Sequence, residues 1–281
     1  MLHPNGTSDY AVNLSEQNTP KRPLTSRFVP AARSLALTLS LVAGCGETVP
    51  NRYANAVTRN SAPRILAMGD SLLAWHRSSN QSISNALEEQ LSVPVIDRSV
   101  IGARYNYALP ITGAMGLNIS KQYRDGNWDW VVLNGGGNDL WFGCGCVACE
   151  TTIDKLIAPD GKSGKIPELV SRIRNTGASV IYVGYLHSPG VYSIVDHCKD
   201  EDIEFERRVA NFAAAHDGVF FLSVSNLIPA GDRSFHSGDM VHPSVKASNL
   251  VGRKIAEIIR NESNSLNRQS SSMWQQPEST Q

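Results

Sequence analysis

The sequence has no excess of charge of either sign and no long apolar run. Lys and Arg together number 26, as do Asp and Glu, so the formal net charge is zero at pH 7. A balanced charge gives no overall field that attracts nucleic acid, and we expect no nucleic-acid partner. The absence of a run of about 18 apolar residues argues against a membrane-spanning helix. The apolar share of 41% is typical of a globular protein with a sizeable core.

The N-terminal region has the order of an export signal. Four basic residues precede its apolar stretch: Lys21, Arg22, Arg27 and Arg33. The stretch runs from Ser34 to Ala43 and is followed by Gly44 and Cys45, an ending that resembles a bacterial lipobox. We predict a signal region over residues 1–45, a linker over 46–60, and export to the cell envelope or periplasm, with lipidated Cys45 as a membrane tether. A plain signal peptide and a short buried helix are the alternatives.

The C-terminal residues 264–281 are polar and low in sequence complexity. They lack the apolar side chains whose burial would offset the entropy cost of ordering the chain. We therefore predict a disordered tail, and a single folded domain over residues 61–263.

Beyond Cys45, the chain has four cysteines: Cys144, Cys146, Cys149 and Cys198. An even number suits two disulfides in an oxidising compartment, with three pairings open. We expect one bridge within the cluster of three and a second bridge from the cluster to Cys198. The same four residues have the ligand count of a structural zinc site, which is the alternative for a reducing compartment.

Short apolar runs alternate with helical patterns between residues 64 and 261. Five runs have the length and β-branched content of buried parallel strands: Ile65–Met68, Val93–Ile96, Trp130–Leu133, Val180–Tyr185 and Val219–Leu222. Between and after them apolar residues recur at helical spacing, as at Val251, Ile255 and Ile258. The alternation predicts an α/β fold, a three-layer α/β/α sandwich around a five-stranded parallel sheet. Ligand sites in such sheets lie at the carboxyl ends of the strands.

The first two predicted strands are followed by short motifs that could supply a catalytic hydroxyl and backbone N–H donors. Met68-Gly69-Asp70-Ser71 places Ser71 at a strand-to-helix turn, with its N–H near a helix N-terminus where negative charge is favoured. Serine is also a common helix N-cap, so this motif predicts little by itself. After the second strand, Gly102 can bring its N–H close to a ligand or can simply occupy a turn that needs positive φ.

Two further motifs supply an amide and an imidazole. In Gly135-Gly136-Gly137-Asn138-Asp139 the Asn138 amide can donate to a developing oxyanion, although a flexible turn is the alternative. Asp239 lies three residues before His242, so its carboxylate can accept from Nδ1–H and leave Nε2 to take a proton from a serine. The remaining histidines are interpreted as structural or surface residues: His3, His76, His187, His197, His216 and His236.

Together the four motifs resemble the four sequence blocks of the SGNH (GDSL) hydrolases, in the same order and over residues 61–262. The resemblance implies a flavodoxin-like sandwich and a serine ester hydrolase, in which Ser71 is the nucleophile, His242 the general base and Asp239 the residue that orients it. It also implies an oxyanion hole formed by the N–H groups of Ser71 and Gly102 and the amide of Asn138. Such chemistry needs no metal and no cofactor.

The sequence departs from this family in two places. Trp75 stands where many members have small residues, and we expect it to narrow or reshape the pocket. The cysteine cluster directly after Asp139 is unusual, and we expect it to rigidify the loop that carries Asn138 and to form one wall of the pocket.

The sequence defines the reaction more closely than the substrate. We expect a small-molecule or lipid ester cleaved by an esterase or lipase-like activity, with carbohydrate O-acetyl esterase as the alternative. A non-catalytic envelope module that binds glycan or lipid would predict loss of a triad residue, and none is missing. A zinc-stabilised cytoplasmic protein is a second alternative, which a thiol count and metal analysis would distinguish. We expect the enzyme to be a monomer.

Overall fold

The computed structural model describes residue 62 and residues 64–188, 193–229 and 231–273. The predicted signal region, Cys45 and the linker lie outside these described residues, and so does His3.

Five parallel strands form a single sheet. Their bounds are Ile65–Met68 (β1), Val95–Asp97 (β2), Trp130–Leu133 (β3), Ser179–Val183 (β4) and Val219–Leu222 (β5). The strand order is β2-β1-β3-β4-β5, with every neighbouring pair parallel. The order reverses at β1, because β2 lies on one side of it and β3 on the other. In an open α/β sheet this reversal opens a crevice at the carboxyl ends of the two central strands.

Helices connect and flank the strands. In the described part of the chain the α-helices are Ser71–Ala74 (α1), Ile83–Leu91 (α2), Pro110–Thr112 (α3), Gly137–Gly143 (α4), Glu150–Leu156 (α5), Lys165–Arg174 (α6), Lys199–Ala214 (α7) and Val245–Met273 (α8). Single turns of 3₁₀-helix occur at Arg77–Ser79, Ile119–Lys121, Asp196–Cys198, Ser225–Leu227 and Arg233–Phe235, and a π-helical turn at Gly113–Leu117.

Alternate residues of each strand pack on opposite faces of the sheet. Leu66 and Met68 of β1 lie in a core completed by α4 to α7, whereas Ile65 and Ala67 lie in a core completed by α1, α2 and α8. This period of two is the ordinary geometry of a strand. Since helices cover both faces, all four residues of β1 are buried, which explains the uniformly apolar runs in the sequence. The predicted three-layer sandwich with a five-stranded parallel sheet is confirmed.

The last helix is longer than the sequence pattern predicts. α8 continues to Met273 and so takes in residues 264–273 of the predicted disordered tail, while residues 274–281 lie outside the described range. Extending an existing helix needs no new nucleus, so polar residues can follow turns that are already packed, here through Val251 and Ile255. Within the described residues, none of the helices combines the length and apolar character that spanning a bilayer requires.

Candidate active site

Ser71 lies at the carboxyl end of β1 as the first residue of α1. The N-cap of this helix is Asp70, whose side chain accepts a hydrogen bond from the N–H of Leu72 at 3.0 Å, so the serine hydroxyl is not used as a cap. Just before it, Gly69 is fixed by Gln122, which accepts from its N–H at 2.7 Å and donates to its carbonyl at 2.8 Å. The turn therefore holds Ser71 firmly while its hydroxyl stays available.

The hydroxyl of Ser71 meets the imidazole of His242, which arrives on the loop before α8. The Ser71 Oγ to His242 Nε2 distance is 2.9 Å, and the His242 Nδ1 to Asp239 Oδ2 distance is 2.6 Å. A carboxylate can only accept, so Nδ1 carries the proton and Nε2 accepts from the serine. The three residues that the sequence proposed as a triad are thus brought together in the required order.

Asp239 is oriented by its own loop. Its Oδ1 accepts hydrogen bonds from the N–H groups of Val241 and His242, both at 3.0 Å. Partial burial would raise the pKa of Asp239, but the hydrogen bonds from His242 and Val241 outweigh it and hold the pKa below its ordinary value. The carboxylate is therefore ionised and positioned before any substrate binds.

Trp75 stacks on the His242 ring. The ring centroids are 3.7 Å apart and the planes differ by 5°. The indole Nε1–H donates to Ser237 Oγ at 3.1 Å, and the N–H of Ser237 donates to the carbonyl of His242 at 2.8 Å. Trp75 is not among the residues that line the pocket, so it fixes the imidazole rather than narrowing the pocket as expected.

The proposed oxyanion donors lie on two adjoining loops. Asn138 lines the pocket with Ser71, and its amide donates to the carbonyl of Ala103 at 3.2 Å. Gly102 adopts φ +78° in the turn just before Ala103, although it is not itself a lining residue. The same turn is joined to the loop of Ser71 by the hydrogen bond from Val100 N–H to Gly69 O at 3.0 Å. The structure thus places Gly102 beside the loop of Ser71 and next to the contact of Asn138.

The run of three glycines is required by close packing. A Cβ on Gly135 would lie 2.4 Å from Ile119 Cδ1, and one on Gly136 would lie 2.4 Å from the ring of Phe205. Both residues also have positive φ, at +148° and +106°. The alternative of a merely flexible turn is therefore not supported, because the glycines let the loop of Asn138 pass between two buried side chains.

A buried network not proposed from the sequence joins the loops of Ser71 and Asn138. The hydroxyl of Tyr185, which follows β4, donates to Asp70 Oδ2 at 2.5 Å and accepts from the N–H of Gly137 at 3.0 Å. Burial raises the pKa of Asp70 above its ordinary value, against the opposing effect of the Tyr185 hydrogen bond. Tyr185 thus fixes the distance between the two loops.

Asp139 joins the Asn138 loop to the segment after Gly102. Its buried carboxylate accepts from the N–H of Tyr105 at 2.9 Å and from that of Asn106 at 2.7 Å. Burial raises the pKa of Asp139 to about 6, although these hydrogen bonds oppose the change. Both halves of the proposed oxyanion hole are therefore connected through one side chain.

Two disulfides follow α4. Cys144 pairs with Cys149 inside the cluster, and Cys146 pairs with Cys198 at the start of α7. This is the arrangement expected from the sequence, one bridge within the cluster and one from it. Cys198 also lines the pocket, together with Trp141 of α4. The cysteines of the cluster after Asp139 are not themselves lining residues, so the cluster does not form a wall of the pocket as expected; it is joined to the wall through the bridge from Cys146 to Cys198.

The pocket at Ser71 has apolar and polar lining residues. The apolar ones are Leu72, Leu140, Trp141, Leu186, Val195, Val241 and Pro243. The polar ones away from the triad include His187, Ser188, Asp196, Lys199 and Asp202. The sequence predicts a structural or surface role for His187, but the side chain lines the pocket at Ser71. His76, His216 and His236 fit that earlier interpretation better, because each ring contacts a backbone carbonyl.

The comparison with known proteins agrees with this geometry. A family model described as "GDSL-like Lipase/Acylhydrolase family" matches residues 67–249, well over half of the chain. The chain belongs to the GDSL-like lipase/acylhydrolase family. The expectation of an esterase-type hydrolase of this family is thereby confirmed.

Solved structures share the fold of this GDSL-like hydrolase at low sequence identity. A proposed arylesterase from Agrobacterium tumefaciens is 17% identical, with a TM-score of 0.52, over 71% of this chain and 99% of that chain. A GDSL-like lipase from Bacteroides thetaiotaomicron is also 17% identical, with a TM-score of 0.50, over 72% of this chain and 89% of that one. Identities this low show likeness of fold alone. No curated protein matches the chain.

Tyr185 is a residue of this GDSL-like site that the sequence motifs do not include. It ends a predicted strand, and the carboxyl ends of parallel strands are where site residues gather. Its own N–H donates to Glu206 Oε1 at 2.5 Å. Glu206 lies inside α7, and nothing in its local sequence indicates this contact.

Proposed function

We propose that the protein is a serine ester hydrolase that works through an acyl-enzyme intermediate on Ser71. The observation that supports this most directly is the unbroken series of contacts from Ser71 Oγ to His242 at 2.9 Å and from His242 to Asp239 at 2.6 Å. A serine hydroxyl is a weak nucleophile unless an adjacent base takes its proton.

In the first half of the reaction, His242 Nε2 takes the proton of Ser71 as Oγ attacks the ester carbonyl carbon. The carbonyl electron pair moves to oxygen and then returns, which expels the alcohol as it takes the proton from His242. Asp239 stabilises the transient imidazolium, and Trp75 holds the ring in plane. Water then repeats the sequence on the acyl-enzyme, releasing the acid and restoring the Ser71 hydroxyl.

The oxyanion is proposed to be held by the N–H groups of Ser71 and Gly102 and by the amide of Asn138. In the structure the Asn138 amide donates to the carbonyl of Ala103, and it would turn from this contact to the oxyanion. One such donor in a site that excludes water contributes about 3 kcal/mol to transition-state stabilisation.

The substrate class that the pocket supports best is an ester with an apolar acyl group. Leu140 and Trp141 line the pocket, and large apolar side chains are exposed next to the proposed oxyanion residues, Ile101 at 57% and Phe142 at 58%. Phe142 lies one helical turn after Asn138, so both side chains are on the same face of α4. An apolar surface at the entrance suits an esterase or lipase-like activity.

A second candidate is a carbohydrate O-acetyl esterase. It is favoured by the polar lining residues on the other elements, His187, Asp196 and Asp202. Hydroxyl-rich substrates need several hydrogen-bond partners beside the reacting group, and these side chains offer them.

The test is hydrolysis of p-nitrophenyl esters from acetate to palmitate by the purified full chain. We expect the Ser71→Ala variant to lose at least about 10³-fold in kcat. A preference for acetate would favour the O-acetyl esterase, and a preference for longer acyl chains would favour the lipase-like activity.

Ser84→Ala is the matched control, because it removes a buried serine hydroxyl on α2 that has no hydrogen-bond partner in the described structure. Equal rates for the native chain and Ser71→Ala, or no rate above background along the whole series, would contradict the proposed mechanism.

A further inference from the structure

Three potential metal ligands converge in the wall of the pocket, away from the triad. They are His187, which follows β4, and Asp202 and Glu206, one turn apart on α7. His187 Nε2 lies 3.3 Å from Asp202 Oδ2 and 3.9 Å from Glu206 Oε2. One ligand atom from each residue lies within 4.8 Å of the other two. Residues four apart on a helix share a face, which explains why both carboxylates reach the same point.

Some ligand atoms that face the space between the three side chains lack a hydrogen bond. Glu206 Oε1 accepts from the N–H of Tyr185 at 2.5 Å, and Glu206 Oε2 lies 3.9 Å from His187 Nε2, too far for a hydrogen bond. His187 Nε2 is buried and close to Asp202 Oδ2, yet the two atoms are not aligned as a hydrogen bond. A buried polar atom without a partner is costly, and such atoms call for a ligand or an ion.

The charge of the two carboxylates is balanced only in part, and only when His187 is protonated, by the contacts of His187 with Asp202 at 3.3 Å and with Glu206 at 3.9 Å. Lys199 lines the same pocket from the first turn of α7, but among the described residues it forms no ion pair with Asp202 or Glu206. Two carboxylates at this spacing repel one another in a partly dry site. A bound cation would remove that repulsion and fill the place between the three atoms.

We propose that His187 Nε2, Asp202 and Glu206 form a binding site for a divalent transition-metal cation of the zinc type in the wall of the catalytic pocket. One imidazole with two carboxylates is a donor set suited to zinc and its neighbours, whereas calcium prefers six to eight oxygen ligands. The N–H of Tyr185 on Glu206 Oε1 would orient that ligand, as outer hydrogen bonds commonly do.

The place of the site gives the cation access to the substrate space. His187 and Asp202 both line the pocket, so coordination positions not filled by the protein face the cavity. An oxygen of the ester's alcohol or acid part could occupy such a position. This consequence rests on the proposed hydrolase function, whereas cation binding itself does not.

The experiment is a calorimetric titration of zinc into the full chain with its disulfides intact. Bound metal is first removed with a chelator, and the chelator is then removed before the titration. We expect one site per chain that depends on the cluster, and at least about tenfold weaker binding in Asp202→Asn and in Glu206→Gln. Binding should also weaken between pH 7.5 and pH 5.5, because a protonated imidazole cannot bind metal. Calcium should bind far more weakly than zinc.

Two variants serve as matched controls. Asp196→Asn removes another pocket carboxylate outside the cluster, and His197→Ala removes the histidine beside the Cys146–Cys198 bridge. Both should bind zinc as the native chain does. His187→Gln replaces any cluster variant whose circular dichroism shows that it has not folded.

The proposal is overturned if no saturable binding occurs below about 1 mM zinc, which is the weak end of metal affinities in protein sites. It is overturned equally if the cluster variants bind zinc as tightly as the native chain, or if Asp196→Asn weakens binding as much as they do. Because binding is measured without turnover, an inactive enzyme would not affect the result.

Discussion

Ser71, the proposed nucleophile, and His242, its proposed base, are held in very different ways. The turn of Ser71 is fixed by contacts distant in sequence, from Gln122 to Gly69 and from Tyr185 to Asp70, and Asp70 is 1% exposed. The loop of His242 is fixed mainly by residues within it, and the side chain of Asp239 is 38% exposed. The turn that carries Ser71 is therefore anchored in the core, whereas His242 depends on local hydrogen bonds and on the stacked Trp75 ring.

The carboxyl groups of the two regions also differ in the direction in which their pKa values are changed. Burial raises the pKa of Asp70 and Asp139, while hydrogen bonds lower that of Asp239. Burial thus opposes the charged form of the two carboxyl groups that hold the loops together, whereas hydrogen bonds favour the charged form of the carboxyl group at the imidazole. Replacing an aspartate should consequently affect stability in the first region and rate in the second.

The largest effect is expected from Asp239→Asn. The amide can no longer stabilise an imidazolium and favours the wrong ring tautomer, so kcat should fall by about 10³-fold or more. The melting temperature should change little because the side chain is partly exposed. Steady-state kinetics and thermal unfolding measure the two quantities on the same preparation.

Asp232→Asn is the control for this variant, since Asp232 contacts Ser234 and Lys246 rather than His242. A fall in kcat of tenfold or less for Asp239→Asn, or an equal fall for both variants, would show that His242 does not depend on Asp239.

A smaller effect is expected on stability, because the free energy of unfolding should depend on pH through the ionisation of Asp139. Its pKa of about 6 lies above the unfolded value of 3.8, so its contribution to stability is complete below pH 3.8 and is lost as the pH rises through 6. The difference corresponds to at most about 3 kcal/mol. Asp239, with a lowered pKa, contributes in the opposite sense, above pH 3.8. Urea unfolding at pH 4, 5 and 6 should show a free energy of unfolding that declines.

Asp139→Asn separates this contribution from those of other buried acids. The decline with pH should be shallower in this variant and unchanged in Asp239→Asn. An identical slope in the native chain and Asp139→Asn would mean that the carboxyl of Asp139 ionises in the folded protein as easily as in the unfolded one.

The smallest effect is expected from Tyr185→Phe. Loss of the hydroxyl leaves the N–H of Gly137 without its partner and Asp70 Oδ2 with only the long contact from Asn138 Nδ2 at 3.5 Å, which should cost about 2 kcal/mol of folding free energy. The rate should fall only several-fold, because the triad itself is intact. Tyr107→Phe is the control, since its hydroxyl is hydrogen-bonded to Thr112 Oγ1 at 2.9 Å, and neither residue lines the pocket. Equal losses of stability in both variants would show that the Tyr185 hydroxyl does not hold the loops of Ser71 and Asn138 together.

Much of the site could be predicted because short motifs sit at strand ends. β1, β3 and β5 have the bounds read from the sequence, and the carboxyl ends of β1 and β3 carry Ser71 and Asn138. A parallel strand buried on both faces is visible as an apolar run, and the following turn is where polar groups become exposed. The fold and the proposed triad therefore followed from local information.

What could not be predicted depends on contacts between distant segments. Tyr185 meets Asp70 across 115 positions, and Glu206 meets Tyr185 from the middle of an ordinary amphipathic helix. No local pattern distinguishes such residues from core or surface positions. The helical course of residues 264–273 was missed for a related reason, because composition does not reveal that a packed helix precedes them.

The bridge between Cys146 and Cys198 makes the stability of the pocket wall depend on the oxidation state of two thiols. It closes a loop of 52 residues, and in the chain-entropy model such a bridge stabilises the fold by about 4 kcal/mol. A chain that folds under reducing conditions lacks that contribution on the wall formed by α4 and the start of α7. Oxidation of this pair of thiols should therefore stabilise the pocket wall, and reduction should destabilise it.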